Sequence, residues 1–308
     1  MRSLGAFAFL GCLSILASQT NVEQQTAGSK PPQGITQDEI AHAELKPPPC
    51  APKSTTTEFF AAVASDDTEH VRELLPHIDV NSRDCEGRTA LYVAVTEQQT
   101  GTAELLLERG ADPNLRSGAN TALVPAVLSD NADLVHQLVR HGADVNARSD
   151  HSYVLLDAVK ESGLTVVAEL LSRGASARVA DENGRTPVMF AVKRGDLDMV
   201  RSLLLAGADV NASTYEGNRA IHLAIEIGRL EMLSLLLDSG ADANVRTEKG
   251  TLLTDAVSAG KTDVVKLLVT HGAALHTRND EGETPMGIAK ARGYFDIESL
   301  LIASGARD

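Results

Sequence analysis

The sequence predicts an all-α fold, a solenoid of stacked helix-turn-helix units joined by short β-hairpin loops, and two residue ladders carry that prediction. Alanines recur at Ala62, Ala94, Ala126, Ala158, Ala191, Ala224, Ala256 and Ala289, always 32 or 33 residues apart. Sixteen residues after each of the last seven stands a glycine: Gly110, Gly142, Gly174, Gly207, Gly240, Gly272 and Gly305. A unit of this length cannot close a core by itself. Each must bury its apolar face against the next, which makes a stack.

The elements follow in order along the chain. Met1, Arg2 and Ser3 precede an uncharged apolar run from Leu4 to Ala17, after which the chain is polar from Ser18 to Lys30. This is the pattern of a secretory signal, so residues 1–18 are expected to be removed and the protein to be exported, periplasmic or secreted. The run is too short for a membrane span and nothing later is apolar enough, so the mature chain is expected to hold no transmembrane segment. A second reading stays open. Leu10-Gly11-Cys12 resembles the end of a bacterial lipobox, which would place a lipid on Cys12, although the apolar run continues past it through Leu13-Ser14-Ile15-Leu16.

Residues 19–53 are polar and proline-bearing, with Pro31-Pro32 and Lys46-Pro47-Pro48-Pro49-Cys50-Ala51-Pro52. Such a stretch cannot bury enough apolar surface to offset its ordering entropy and is expected to be a disordered tether. An N-terminal cap follows over 54–82. There Thr55, Thr56 or Thr57 opens a helix carrying Phe59, Phe60 and Val63, paired with a second helix from about Thr68 to Leu75.

The repeats then run at about 84–114, 116–147, 148–179, 181–212, 214–245, 247–277 and 279–308. Each begins with a word such as DCEGRTALYVA at 84–94, DENGRTPVMFA at 181–191 or NDEGETPMGIA at 279–289. The glycine marks a hairpin turn. Thr186 is placed as an N-cap and Pro187 at the first helical position, where its missing donor costs nothing. Each ends with a word such as LLLERGADPN at Asn114, LVRHGADVN at Asn146, LLLAGADVN at Asn211 or LLLDSGADAN at Asn244. Apolar residues at helical spacing, such as Val264, Val265, Leu267 and Leu268, form the buried stripe, and the glycine stops the helix. The Asp and Asn then favour a turn.

These words resemble the ankyrin repeat, whose pattern is D-x-x-G-x-T-P-L-H-x-A, an inner helix, a short loop, an outer helix and G-A-D-V-N. The stretch Gly260-Lys261-Thr262-Asp263-Val264-Val265-Lys266-Leu267-Leu268 matches the loop and outer helix almost letter for letter. The resemblance covers about 54–308. It implies an ankyrin-repeat solenoid that binds another protein through a concave groove of hairpin tips and inner helices. The copy at 148–179 departs furthest: His151 replaces the turn glycine, Tyr153 the threonine, Val154 the proline and Arg178 the asparagine. It is expected to be locally weaker than its neighbours. Gly118 falls one place early and Gly250 one place late.

The formal net charge of −14 disfavours nucleic acid and anionic membrane, since phosphate binding needs clustered Lys and Arg and no such cluster stands out. A partner with a basic patch would be attracted; acidity for solubility alone is the plainer alternative. The cysteines are Cys12, Cys50 and Cys85. In an exported chain Cys50 can clip the tether to Cys85 on the first hairpin tip, the alternative being two unrelated thiols. No paired-cysteine spacing exists and the nine histidines are scattered, so neither a metal nor any cofactor is expected.

Catalytic motifs fail on context. Gly260-Lys261-Thr262 lacks the first glycine of a phosphate loop, because position 255 is Asp255. Arg194-Gly195-Asp196 occupies the interhelix loop, and Asn211-Ala212-Ser213 belongs to the helix-ending turn. His222 matches the histidine of the family box and is expected to brace a turn. An enzyme is not expected. The variable place before each alanine, held by Val93, Pro125, Asp157, Phe190, Leu223, Asp255 and Ile288, is expected to point into the groove. Phe190 is expected to be accessible there, with Tyr153 and Tyr215 on flanking tips, as an aromatic anchor, and Asp157 and Asp255 beside it. The alternative packs Phe190 on a neighbouring helix. Three roles stay open: a periplasmic accessory factor supporting an enzyme such as a catalase, which the resemblance suggests; a secreted effector binding a host protein; and an enzyme with an unrecognised site. The sequence leaves the oligomeric state open, with a monomer as the expectation.

Overall fold

A computed structural model describes residues 54–150 and 152–307. The stretches expected as a signal and a tether, with Cys12 and Cys50, and His151 therefore lie outside the described residues. The chain enters with α1 (Ser54–Ala64) and α2 (Thr68–Leu74), followed by a short 3-10 turn at Leu75–His77. Seven helix pairs succeed them among the described residues. They are α3 (Ala90–Thr96) with α4 (Thr100–Glu108), α5 (Leu123–Leu128) with α6 (Ala132–Arg140), α7 (Val154–Glu161) with α8 (Leu164–Ser172), and α9 (Pro187–Arg194) with α10 (Leu197–Leu205). The series ends with α11 (Ala220–Ile227) and α12 (Leu230–Asp238), α13 (Leu252–Ser258) and α14 (Thr262–Thr270), and α15 (Pro285–Arg292) and α16 (Phe295–Ala303).

Within each pair the two helices pack on each other, and each also packs on its counterpart in the adjoining pairs. The odd-numbered helices form the inner row and the even-numbered helices the outer row. One inner pair is the exception: α11 and α13 lack the close packing that every other neighbouring inner pair has.

The period has a packing cause. All eight ladder alanines are buried, so a small side chain stands wherever inner helices approach their neighbours. A second ladder in the outer row, Leu106, Leu138, Leu170, Leu203, Leu236, Leu268 and Leu301, is 0% exposed throughout. Leu268, not Leu267, is thus the core residue of its copy. Leu267 is half-buried, because one more residue of helix turns its side chain about 100° away from the neighbouring repeat.

Threonine caps do what their position requires. Thr89 Oγ1 accepts from the Tyr92 N–H at 3.2 Å, and Thr284 Oγ1 from the Gly287 N–H at 3.1 Å. Arg219 has no such oxygen, and here His222 reaches back instead, its Nδ1 accepting the Arg219 N–H at 2.9 Å. The displaced turn glycines still close their hairpins, with antiparallel bridges Ser117↔Asn120 and Arg246↔Thr251. In the copy at 148–179 the bridge is Arg148↔Tyr153.

The asparagine ending each repeat does more than turn the chain. Asn114 Nδ2 donates to the Gly142 carbonyl at 2.9 Å, and its Oδ1 accepts the Asp144 N–H at 2.8 Å. Asn146, Asn211 and Asn244 repeat both bonds to the next repeat. Where Arg178 replaces asparagine, its Nε donates to the Gly207 carbonyl at 2.9 Å, so one of the two stitches survives.

Interhelix loops supply a further set of stitches. In the N-terminal copies the left-handed position is held by Asp66, Gln98 and Asp130, with φ of 58°, 62° and 53°. Each uses its side chain across the repeat boundary: Thr102 Oγ1 donates to Asp66, Asn131 Nδ2 to Gln98 and the Gly163 N–H to Asp130. These bonds offset the backbone strain, which costs about 1–2 kcal/mol per residue. Later copies hold glycine at that position, Gly195, Gly228, Gly260 and Gly293, and place a cation beside it. Arg194 Nη1 donates to the Val159, Lys160 and Ser162 carbonyls, while Arg229, Lys261 and Arg292 reach the Gly195, Ile225 and Ser258 carbonyls. Each sits at the C-terminal end of the preceding inner helix, where a positive charge is favoured.

Candidate functional site

The hairpin tips and inner helices build one continuous face, and the place before each ladder alanine shows what it presents. Pro125, Asp157, Phe190, Leu223 and Asp255 are all half-exposed. Val93 and Ile288 are not; at 6% and 2% exposure they belong to the core, contrary to the expectation for that place. The exposed stretch is confined to the five middle copies.

Phe190 is half-buried, and it does not stand free. Lys160 Nζ lies 4.7 Å from the ring centre and Arg185 Cζ lies 5.2 Å from it. Such contacts are worth about 0.5–2 kcal/mol, and the ring is covered by one cation from the preceding copy and one from its own. Arg185 is fixed in turn by Asp181, its Nε donating to Oδ2 at 2.8 Å. Burial pushes the Asp181 carboxyl up, but backbone N–H groups of Arg185 and Asn183 and the Arg185 guanidinium outweigh it and hold the carboxyl below its ordinary value. The centre of the face therefore sets Lys160 and an ion-paired Arg185 over an aromatic floor.

Tyr153 caps α7 without a side-chain hydrogen bond, and Arg148 Cζ lies 4.9 Å from its ring centre. Tyr215 is 83% exposed at its tip, where its N–H donates to the Asn183 carbonyl at 3.2 Å. Asp157 accepts from Ser149 Oγ at 2.8 Å, which ties it to its own hairpin. Asp255 sits apart from these, on the wall of a cleft.

That cleft, about 1320 Å³ in volume, lies over the last three hairpin tips and the adjoining inner helices. It lies where α11 and α13 are least closely packed. His222 forms part of its lining. Burial and the nearby Arg219 charge push the imidazole below its ordinary value, outweighing hydrogen bonds and the Asp255 charge that act the other way. A neutral ring also keeps the Nδ1 lone pair that the Arg219 N–H needs. His222 braces the start of α11, as expected from its place in the box.

Lys160, Arg185 and the cleft were not singled out from sequence. Lys160 stands one copy before Phe190 and meets it only when the repeats stack; Arg185, five residues before Phe190 in its own copy, was the one signal present in the sequence. Cys85, on the first tip, is disulfide-bonded. Among the described residues no helix is long and apolar enough to cross a membrane.

Comparison with known proteins places these features in context. Family models of ankyrin repeats match residues 42–117, 59–149 and 155–247, and a further ankyrin model matches 253–302. A human protein phosphatase 1 regulatory subunit 27 is 48% identical over 54 residues, which are 18% of this chain and 35% of that protein. The ankyrin repeat and KH domain-containing protein mask-1 of Caenorhabditis elegans is 43% identical over 58 residues, 19% of this chain and 2% of that protein. The chain thus spans only about a third of the phosphatase subunit's length, 35%. The crystal structure of the ankyrin repeat domain of Bcl-3 is similar at a TM-score of 0.51 and 25% identity, covering 80% of this chain and 97% of that domain.

Proposed function

We propose that this chain, which belongs to the ankyrin repeat family, is a non-catalytic module that binds another protein through the face made by its hairpin tips and inner helices. The observation that carries the reading is the run of half-exposed residues on five successive inner helices, Pro125 to Asp255, bordered by exposed tips. Core positions elsewhere in those helices are fully buried, so this variation is not needed to hold the stack. A relative named as a regulatory subunit of a phosphatase supports the same class of action.

The place of action we propose is outside the cytoplasm, after removal of residues 1–18, and Cys85 supports it because disulfides persist in oxidising compartments. With Cys12 lost in the signal, Cys50 is the partner we propose. A periplasmic accessory role and a secreted effector role share this chemistry and differ in address. Affinity capture with the full chain, tagged at its C-terminus so that processing proceeds, tests the reading in periplasm and culture supernatant separately. A stoichiometric protein partner is expected from one fraction, with peptide mapping showing a Cys50–Cys85 cross-link. Capture of no protein from either fraction would contradict it.

A further inference from the structure

We propose that the cleft over the last three hairpin tips seats an extended, strongly basic segment of the partner protein; this rests on the protein-binding reading above. Small-molecule pockets run to about 1,000 Å³. This one is larger, at about 1320 Å³, and follows the tips, so its dimensions suit a length of chain.

Its wall carries the carboxylates of Glu216, Glu248, Asp255, Asp280, Glu281 and Glu283. Against these six stand Arg246, Lys249 and Arg292. Arg246 lies 3.6 Å from Asp280, so that pair cancels, while Lys249 and Arg292 keep their charges against the other carboxylates, Arg292 also donating to the Ser258 carbonyl. His222 adds no charge, since burial keeps its ring neutral. The wall is thus left with an excess of negative charge, and a concave surface focuses that field.

The carboxylates do not converge on a point. They come from three successive tips, with Glu216 on the first, Glu248 on the second and Asp280, Glu281 and Glu283 on the third, so the charge is spread as a row would need. Beside Glu216 stands Tyr215, 83% exposed, an aromatic face suited to a lysine or arginine. At the centre of the same face Lys160 stands over Phe190 and disfavours a basic segment there, whereas Arg185 is neutralised by Asp181.

A fluorescent peptide of alternating arginine and glycine, titrated by anisotropy into the full chain at low salt, tests this. Reversing Glu216→Lys, Glu248→Lys and Glu281→Lys together, all exposed, is expected to weaken the peptide at least about tenfold, with the difference shrinking as salt rises. The control makes the same change of net charge on the outer helices with Glu104→Lys, Glu108→Lys and Glu231→Lys, and is expected to stay within about twofold. Should the first variant melt early, Glu216→Gln, Glu248→Gln and Glu281→Gln carries the test with a smaller loss in the same direction. Equal weakening by cleft and control variants, or none by either, would overturn the proposal. A chain that captures its partner yet treats both variants alike loses the cleft and keeps the protein-binding reading. One that holds the peptide specifically and captures nothing does the reverse.

Discussion

At the residue scale, His222 shows how one side chain serves both a turn and a boundary. Its Nδ1 accepts the Arg219 N–H at 2.9 Å, replacing the threonine cap found in sister copies. Because burial lowers its folded pKa, the unfolded chain takes up the proton more readily. Stability from this group is therefore complete above the ordinary imidazole value of about 6.5 and is lost as pH falls below it, until the folded value is passed. Histidines 70 and 271, raised chiefly by hydrogen bonds to Glu73 and to the Leu267 carbonyl, act with the opposite sign. A comparison with His222→Gln isolates the first effect. Urea unfolding should find the variant about 1 kcal/mol weaker at neutral pH and the gap narrower at pH 5.5. A gap that widens on acidification would mean that the folded state prefers the charged ring.

At the element scale, helices and turns were legible because one repeat carries their signals. Thr186 and Pro187 open α9, and the glycine after each outer helix ends it, as their local chemistry dictates. What joins one repeat to the next was less legible. Asn114 looked like a turn residue, yet its amide bonds the following repeat; Arg194 looked like part of an interhelix loop, yet it closes three carbonyls at the end of the preceding inner helix. Neither contact exists until two copies stack, so no reading of one copy could find it. The stripe in α14 was read one residue too wide for a similar reason: Leu267 and Leu268 are both apolar, and only the neighbouring outer helices decide which is fully covered. Leu268→Ala should cost about 2–5 kcal/mol and Leu267→Ala about 1 kcal/mol, measured by chemical denaturation. Equal losses would show that the two positions share the core.

At the scale of the whole molecule, the stack was legible from its period, whereas the character of its binding face was not. Phe190 and Tyr215 suggested an open aromatic anchor. The folded face instead places cations over Phe190, leaves Tyr215 exposed, and opens an acid-walled cleft where α11 and α13 lack close packing. A face of mixed sign selects partners by matching charge along its length, and wrong partners are rejected by like charges brought together. Hydrogen exchange on the full chain, free and with its captured partner bound, tests this account most directly. Added protection is expected in the hairpin tips and in inner helices α7, α9, α11 and α13, greatest at the tips around Glu216 and Glu248. Protection confined to the outer helices α8, α10, α12 and α14, with the tips unchanged, would contradict it.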